Sequence, residues 1–264
     1  MLQTYIFFSS AATKNTIFAL GMTKVITPYQ QVDQGKKKQV AQMFNNISGT
    51  YDFLNHFLSL GIDVIWRKRA IRTLKELKPK HILDVATGTG DFAIQAAKTL
   101  NPEHITGVDI SQGMLEVGRQ KVAKKQLSRV ITMEIGDSEN LPFESACFDA
   151  VTVAFGVRNF EHIEAGMAEI YRVLRPGGKL VILEFTTPRY FPVKQLYRCY
   201  FKYITPAIGR LFSKDRRAYS YLPESVEAFY QGQAFVDVLK QSGFHTASHR
   251  PQTFGICGLY TALK

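Results

Sequence analysis

The chain has 264 residues, room for one large domain or two small ones. Hydrophobic residues make up 45% and aromatics 12%, enough for a sizeable core, which excludes a wholly disordered chain. Lys and Arg number 33 against 22 Asp and Glu, a net charge of +11, so the surface attracts phosphates of nucleic acid or of anionic lipid without choosing between them.

Residues 1–21 hold two apolar runs, Ile6-Phe7-Phe8 and Ile17-Phe18-Ala19-Leu20, with Lys14 as the one charge. A secretory signal needs a basic start and an unbroken apolar stretch, and a mitochondrial transit peptide needs arginines. The segment therefore reads as a disordered extension or a start placed too early, with Met22 as the other candidate; a weak targeting segment is the competing reading. Val40, Met43, Phe44 and Ile47 recur at helical spacing, a second helical run covers Phe53 to Leu60, and a third covers Val64 to Leu77 before Pro79. Residues 22–79 thus form an N-terminal helical cap, and residues 80–264 the core.

From His81 the pattern alternates. His81 to Ala86 reads as a buried parallel strand, Asp91 to Leu100 as a helix and Ile105 to Asp109 as a second strand. Ser111 caps a helix through about Lys125, and Val130 to Ile135 and Phe148 to Phe155 are the third and fourth strands. A helix marked by Ile163, Met167, Ile170 and Leu174 stops at Arg175-Pro176-Gly177-Gly178, and Leu180 to Phe185 is the fifth strand. Strands and helices at this pitch predict an open, mostly parallel α/β sheet. The alternation lapses over residues 188–217, where eight basic residues and seven aromatics accompany one acid, Asp215. This insertion reads as a lid over a substrate, resting on anionic lipid. The competing reading is a solvated charged face with its aromatics in the core. Ser225 to Leu239 is a final helix, and two late strands run near Phe244 to Arg250 and Ile256 to Leu263.

No stretch reaches the ~18 uninterrupted apolar residues of a membrane-spanning helix. Cys147, Cys199 and Cys257 show no CxxC spacing, which argues against a disulfide framework or a cysteine zinc site and for a reducing compartment. His245 and His249 are four apart but on a predicted strand, so no metal pair is expected.

The chemistry concentrates at strand ends. Asp84-Val85-Ala86-Thr87-Gly88-Thr89-Gly90-Asp91 is a glycine turn whose amides a ligand can approach; with Ala93 it also fits the dinucleotide fingerprint, which keeps a nicotinamide enzyme in view. Asp109 ends the second strand 19 residues beyond Gly90, where a carboxylate can accept from both hydroxyls of a ribose. Asp137 and Ser138 follow the third strand, where a carboxylate can meet an adenine amino group. With Arg172 to Lys179, these elements in this order resemble the class I S-adenosylmethionine-dependent methyltransferases, a Rossmann-like fold. Little chain remains for the separate catalytic domain a dehydrogenase needs.

The resemblance narrows. Met43 to Ser48, Tyr51-Asp52-Phe53-Leu54-Asn55, Leu58 to Asp63 and Trp66-Arg67-Lys68 resemble one signature of the ubiquinone/menaquinone biosynthesis C-methyltransferases. Phe155-Gly156-Val157-Arg158-Asn159-Phe160 resembles the second, and Tyr221 to Ser225 and Thr253 to Ile256 also fit. The likeness covers about Lys38 to Lys264. It implies S-adenosylmethionine as cofactor, held by Asp84, Gly88, Thr89, Gly90, Asp109, Asp137 and Ser138. It implies C-methylation of a prenylated quinol: demethylmenaquinol first, the ubiquinone precursor 2-methoxy-6-polyprenyl-1,4-benzoquinol second. A nucleic-acid methyltransferase is the runner-up, although the Asn-Pro-Pro-Tyr type motif of amino methylation is absent after the fourth strand. Ala154 stands where some members carry serine, which removes a side-chain contact to the cofactor.

A ring carbon becomes nucleophilic when an ortho oxygen feeds it charge, so a cation must favour the phenolate. Arg158 and Asn159, on the loop after the fourth strand, are placed for that role, and the resemblance adds Tyr51. His56 reads as a packed histidine, with proton carrier as the alternative. The implied setting is the cytoplasmic face of the membrane, bound peripherally, with homo-oligomers or other quinone-biosynthesis enzymes as further partners.

Overall fold

The computed structural model describes residues 26–264 except 32, 60, 206–214 and 216. The extension at residues 1–21 and the middle of the insertion lie outside the described residues.

Among the described residues two helices come first, α1 (Lys36–Leu58) and α2 (Ile62–Arg72). The two runs expected up to Leu60 form one helix, whose first half buries Val40, Met43 and Ile47 as a stripe. Gly49 faces open space there, so its poor helix propensity, about 1 kcal/mol, falls on the unburied side. Helix α2 stops at Arg72, short of the expected Leu77, and the chain continues in turns such as Leu74 N to Ile71 O.

The core alternates β1 (His81–Val85), α3 (Asp91–Leu100), β2 (His104–Asp109), α4 (Gln112–Lys124), β3 (Ile131–Ile135), β4 (Phe148–Ala154), α5 (Ile163–Val173) and β5 (Leu174–Phe185). The Ser111 hydroxyl accepts from Met114 N, the expected N-cap. Arg175 to Gly178, expected as a helix stop alone, already belongs to β5; Gly177 N bonds Lys264 O and Lys264 N bonds Gly178 O. After α6 (Val193–Cys199) come α7 (Arg217–Ala228), α8 (Gln233–Gln241), β6 (Thr246–Gln252) and β7 (Cys257–Leu263). The single helix expected over Ser225 to Leu239 is two, broken at Gly232, whose φ of 63° is left-handed and whose N–H meets the Tyr260 hydroxyl at 2.9 Å.

The seven strands form one sheet in the order β3-β2-β1-β4-β5-β7-β6, with β7 antiparallel to both neighbours and the rest parallel. Alternate residues of each strand feed opposite layers: Leu83 and Val85 pack with Met167 and Phe235, whereas Ile82 packs with Ile71, Phe92 and Leu115. The order reverses between β1 and β4. Their following chains depart in opposite directions and leave a crevice at the carboxyl ends.

The crevice floor is tight. A Cβ on Gly156, after β4, would lie 2.6 Å from the Ala86 Cβ after β1. Gly156→Ala should force those loops apart and destabilise the protein by about 1–3 kcal/mol, read as a lowered denaturation midpoint; an unchanged midpoint would show that the loops have slack.

Candidate functional site

Ala86, Gly88 and Gly90 all take left-handed φ values, 52°, 57° and 79°, and so turn the chain sharply out of β1. Asp84 anchors this turn from beneath: it accepts from the Thr87 and Thr152 hydroxyls, each at 2.6 Å. Burial pushes its carboxyl up to about 6 against those two bonds. Asp109, at the end of β2, accepts from Gly88 N at 2.9 Å and Ser111 N at 2.8 Å. Burial likewise pushes its carboxyl up to about 6. With these bonds made the carboxylate still lines the cleft, where a ligand hydroxyl can reach it. Asp137, after β3, accepts from Glu139 N at 3.0 Å and Lys37 Nζ at 2.6 Å.

These ends border a cleft, and Gly88, Asp109, Asp137, Ser138, Tyr51 and Asn159 all line it, with Ala154 beside them. Asp84, Thr89 and Gly90 do not. The Thr89 hydroxyl instead donates to Asp52 of α1, and Lys121 bridges Asp52 and Asp91 at 2.5 Å each.

Helix α1 roofs the cleft. Its first amides, on Lys36 and Lys37, meet the Glu161 carboxylate at 2.8 and 3.3 Å, a negative group on the positive helix end. Lys36 Nζ donates to the carbonyls of Arg158 and Phe160, both at 2.8 Å. Burial, with Arg158 nearby, lowers that ammonium to about 8. His56 is not packed in the core: its side chain is 41% exposed and lies between Asp63 at 3.0 Å and Asp91 at 3.5 Å.

A second cavity adjoins the first, and Phe44, Tyr51 and Phe155 line both. Arg158 lines the second cavity, not the cleft. It is a buried cation rather than a surface ion pair: Nη1 donates to Glu184 Oε1 at 2.8 Å and also to Phe155 O, while Arg158 N meets Glu184 Oε2 at 3.1 Å. Neighbouring Asn159 accepts from the Tyr221 hydroxyl at 3.1 Å, which fixes its amide between the two spaces. Glu184 escaped notice in the sequence, although an acid in the apolar run Val181-Ile182-Leu183-Glu184-Phe185 is a usable signal.

The donor set suits a cationic nucleoside cofactor: two carboxylates beside an apolar slot that holds Met114 and Phe44. The second cavity offers a guanidinium beside aromatic walls, and so suits a ring that bears oxygens.

The model of the ubiE/COQ5 methyltransferase family matches residues 31–264. A demethylmenaquinone methyltransferase of Bacteroides fragilis is 54% identical over 90% of this chain and 97% of its own length. A ubiquinone/menaquinone biosynthesis C-methyltransferase UbiE of Geobacter sulfurreducens is 45% identical over 90% and 93%. Among solved structures, an S-adenosylmethionine-dependent methyltransferase from Aquifex aeolicus superposes with a TM-score of 0.53 at 17% identity, over 74% of this chain and 89% of its own. A putative O-methyltransferase from Nostoc punctiforme reaches 0.62 at 14% identity, over 96% and 69%. At such identities they share the fold, a Rossmann-like class I sheet.

Removing one partner of a buried ion pair leaves an uncompensated charge. Glu184→Ala should therefore destabilise the protein by about 3–5 kcal/mol in urea unfolding, and Arg158→Met with Glu184→Leu should recover most of that loss. A single variant as stable as the parent would mean that Arg158 is solvated by other means.

Proposed function

The chain belongs to the ubiE/COQ5 methyltransferase family, and on that premise we propose how its two adjoining cavities carry out C-methylation in respiratory-quinone biosynthesis. It is an S-adenosylmethionine-dependent C-methyltransferase. The acceptor in this reading is a prenylated quinol, with demethylmenaquinol first, in line with the names of the Bacteroides relatives, and the ubiquinone precursor second. The observation that carries the reading is the shared wall of Phe44, Tyr51 and Phe155, with carboxylates on one side and Arg158 on the other.

The cofactor, when bound, supplies a methyl group on a sulfonium. Asp109 would accept from the ribose hydroxyls, and Asp137 with Ser138 would hold the adenine edge. Gly88 and Gly90 give the turn its shape, Asp84 fastens that turn to β4, and Thr89 would reach the ligand only by giving up its bond to Asp52. On the other side the residues must favour a phenolate. A phenol of pKa ~10 is three units above pH 7, roughly 4 kcal/mol. The Arg158 guanidinium, desolvated and held by Glu184, offsets that cost. The Asn159 carbonyl is engaged by Tyr221, which leaves its amide N–H groups to orient the oxygen. Tyr51 closes the passage and keeps water from the methyl.

The basic charge is assigned to lipid. Tyr190, Phe191 and Leu196 stand 78%, 81% and 66% exposed beside Arg189, Lys194 and Arg198, a combination that suits insertion at an anionic surface. Among the described residues no helix is long and apolar enough to cross a membrane.

Four measurements test this. With cofactor and a short-chain demethylmenaquinol, mass spectrometry should find one methyl added to the ring carbon; transfer to an oxygen, or none, would refute the assignment. Arg158→Ala should lower turnover by roughly 10²–10³-fold while cofactor affinity barely changes; equal loss of both would place Arg158 in the cofactor site. Asp109 binds hydroxyls best when ionised, and its carboxyl sits near about 6. Calorimetric affinity for the cofactor should thus be full above about pH 7 and fall as pH drops through 6, and Asp109→Asn should be weaker but flat over that range. Flotation with vesicles should recover more protein when anionic lipid is present; equal recovery without it would remove the electrostatic part of the membrane contact.

A further inference from the structure

The second cavity holds a second half-used cation. Arg67 of α2 lines it, is only 7% exposed, and bonds through one nitrogen alone: Nη1 to Asp63, one turn earlier. Its Nε is buried with no partner. Asp63 is 2% exposed and lines the same cavity; its Oδ1 accepts from the Ser59 hydroxyl at 2.6 Å, and its Oδ2 is shared by Arg67 and His56. A buried guanidinium with unmet donors is costly unless something completes it. At the surface water would complete an i, i+4 ion pair of this kind; this one is buried.

The position is informative. Phe155 and Phe185 stack with centroids 4.4 Å apart; Arg67 lies over the first ring at 5.8 Å and Arg158 over the second at 5.6 Å. The two cations therefore border the cavity at separate points, each beside its own carboxylate. A guanidinium donates and a carboxylate accepts, so the Arg67–Asp63 pair satisfies both the lone pair and the proton of a hydroxyl. A carbonyl would use only half of it. Ser59, Arg67 and His56 together hold Asp63 below the usual carboxylate range despite its burial, so the acceptor stays ionised.

We infer that Arg67 and Asp63 bind the second ring hydroxyl of the acceptor, the one Arg158 does not take, and so select the two-electron-reduced diol over the dione. The inference rests on the second cavity being the acceptor site. The ring is then fixed at two points, which sets the carbon presented to the methyl.

The test compares a short-chain demethylmenaquinol with the analogue in which the hydroxyl meta to the methylated carbon is replaced by hydrogen. The hydroxyl that activates that carbon is intact in both. The parent protein should show KM roughly 10-fold or more higher for the analogue, with kcat changed far less. Arg67→Met should raise KM for the diol by a similar factor and show no further rise for the analogue, with cofactor affinity unchanged. Equal KM values for diol and analogue in the parent protein would overturn the inference alone, and that comparison needs no variant. A variant that still discriminates as the parent does would also overturn it. Failure of the parent protein to methylate either compound would remove the proposed acceptor itself, and this inference with it.

Discussion

The reversal of strand order between β1 and β4 is the constraint on which the site depends. The chain leaving β1 returns on one side and the chain leaving β4 on the other, so the sheet opens where the two part. No side chain needs to hold that crevice open. The loops that border it approach closely at Ala86 and Gly156, and Asp84 clasps β1 to β4 through Thr152. This stiffness lets Asp109, Asp137 and Arg158, from the carboxyl ends of three different strands, keep fixed positions around the crevice.

The cations that border the second cavity and the glycine turn are held by carboxylates. Arg158 rests on Glu184, Arg67 on Asp63, and Lys121 between Asp52 and Asp91. Such pairs are a poor source of stability, since apolar substitutes of similar size would do as well or better. Their value lies in holding a desolvated cation where an oxygen can gain charge, an interaction that water would weaken severalfold. Helix α1 does the excluding: its N-terminus is fastened by Glu161 and Lys36 to the loop that carries Arg158, so the roof and the candidate catalytic loop form one unit.

Much of the framework was legible in the residues. Strands β1 to β4 lie within apolar runs closed by glycine or an acid and β5 ends before Pro188, and period and punctuation place them to within a residue or two, apart from the early start of β5. Asp109, Asp137 and Ser138 could be located because they end a strand or follow one closely. What escaped was long-range. Nothing local says that Thr89 turns to Asp52 rather than to the cleft, or that His56 bridges two carboxylates. The break at Gly232 depends on a hydroxyl, Tyr260, 28 residues away. Glu184 and Arg67 read as ordinary charges until the sheet brings the first against Arg158 and the second against Phe155.

The most direct measurement is a crystal structure with the demethylated product of the cofactor, S-adenosylhomocysteine. Its ribose should lie on Asp109, with its sulfur facing the wall of Tyr51 and Phe155 and the Arg158 cavity open beyond. Density elsewhere, or a sulfur sealed off from that cavity, would contradict the division of the site into a donor side and an acceptor side.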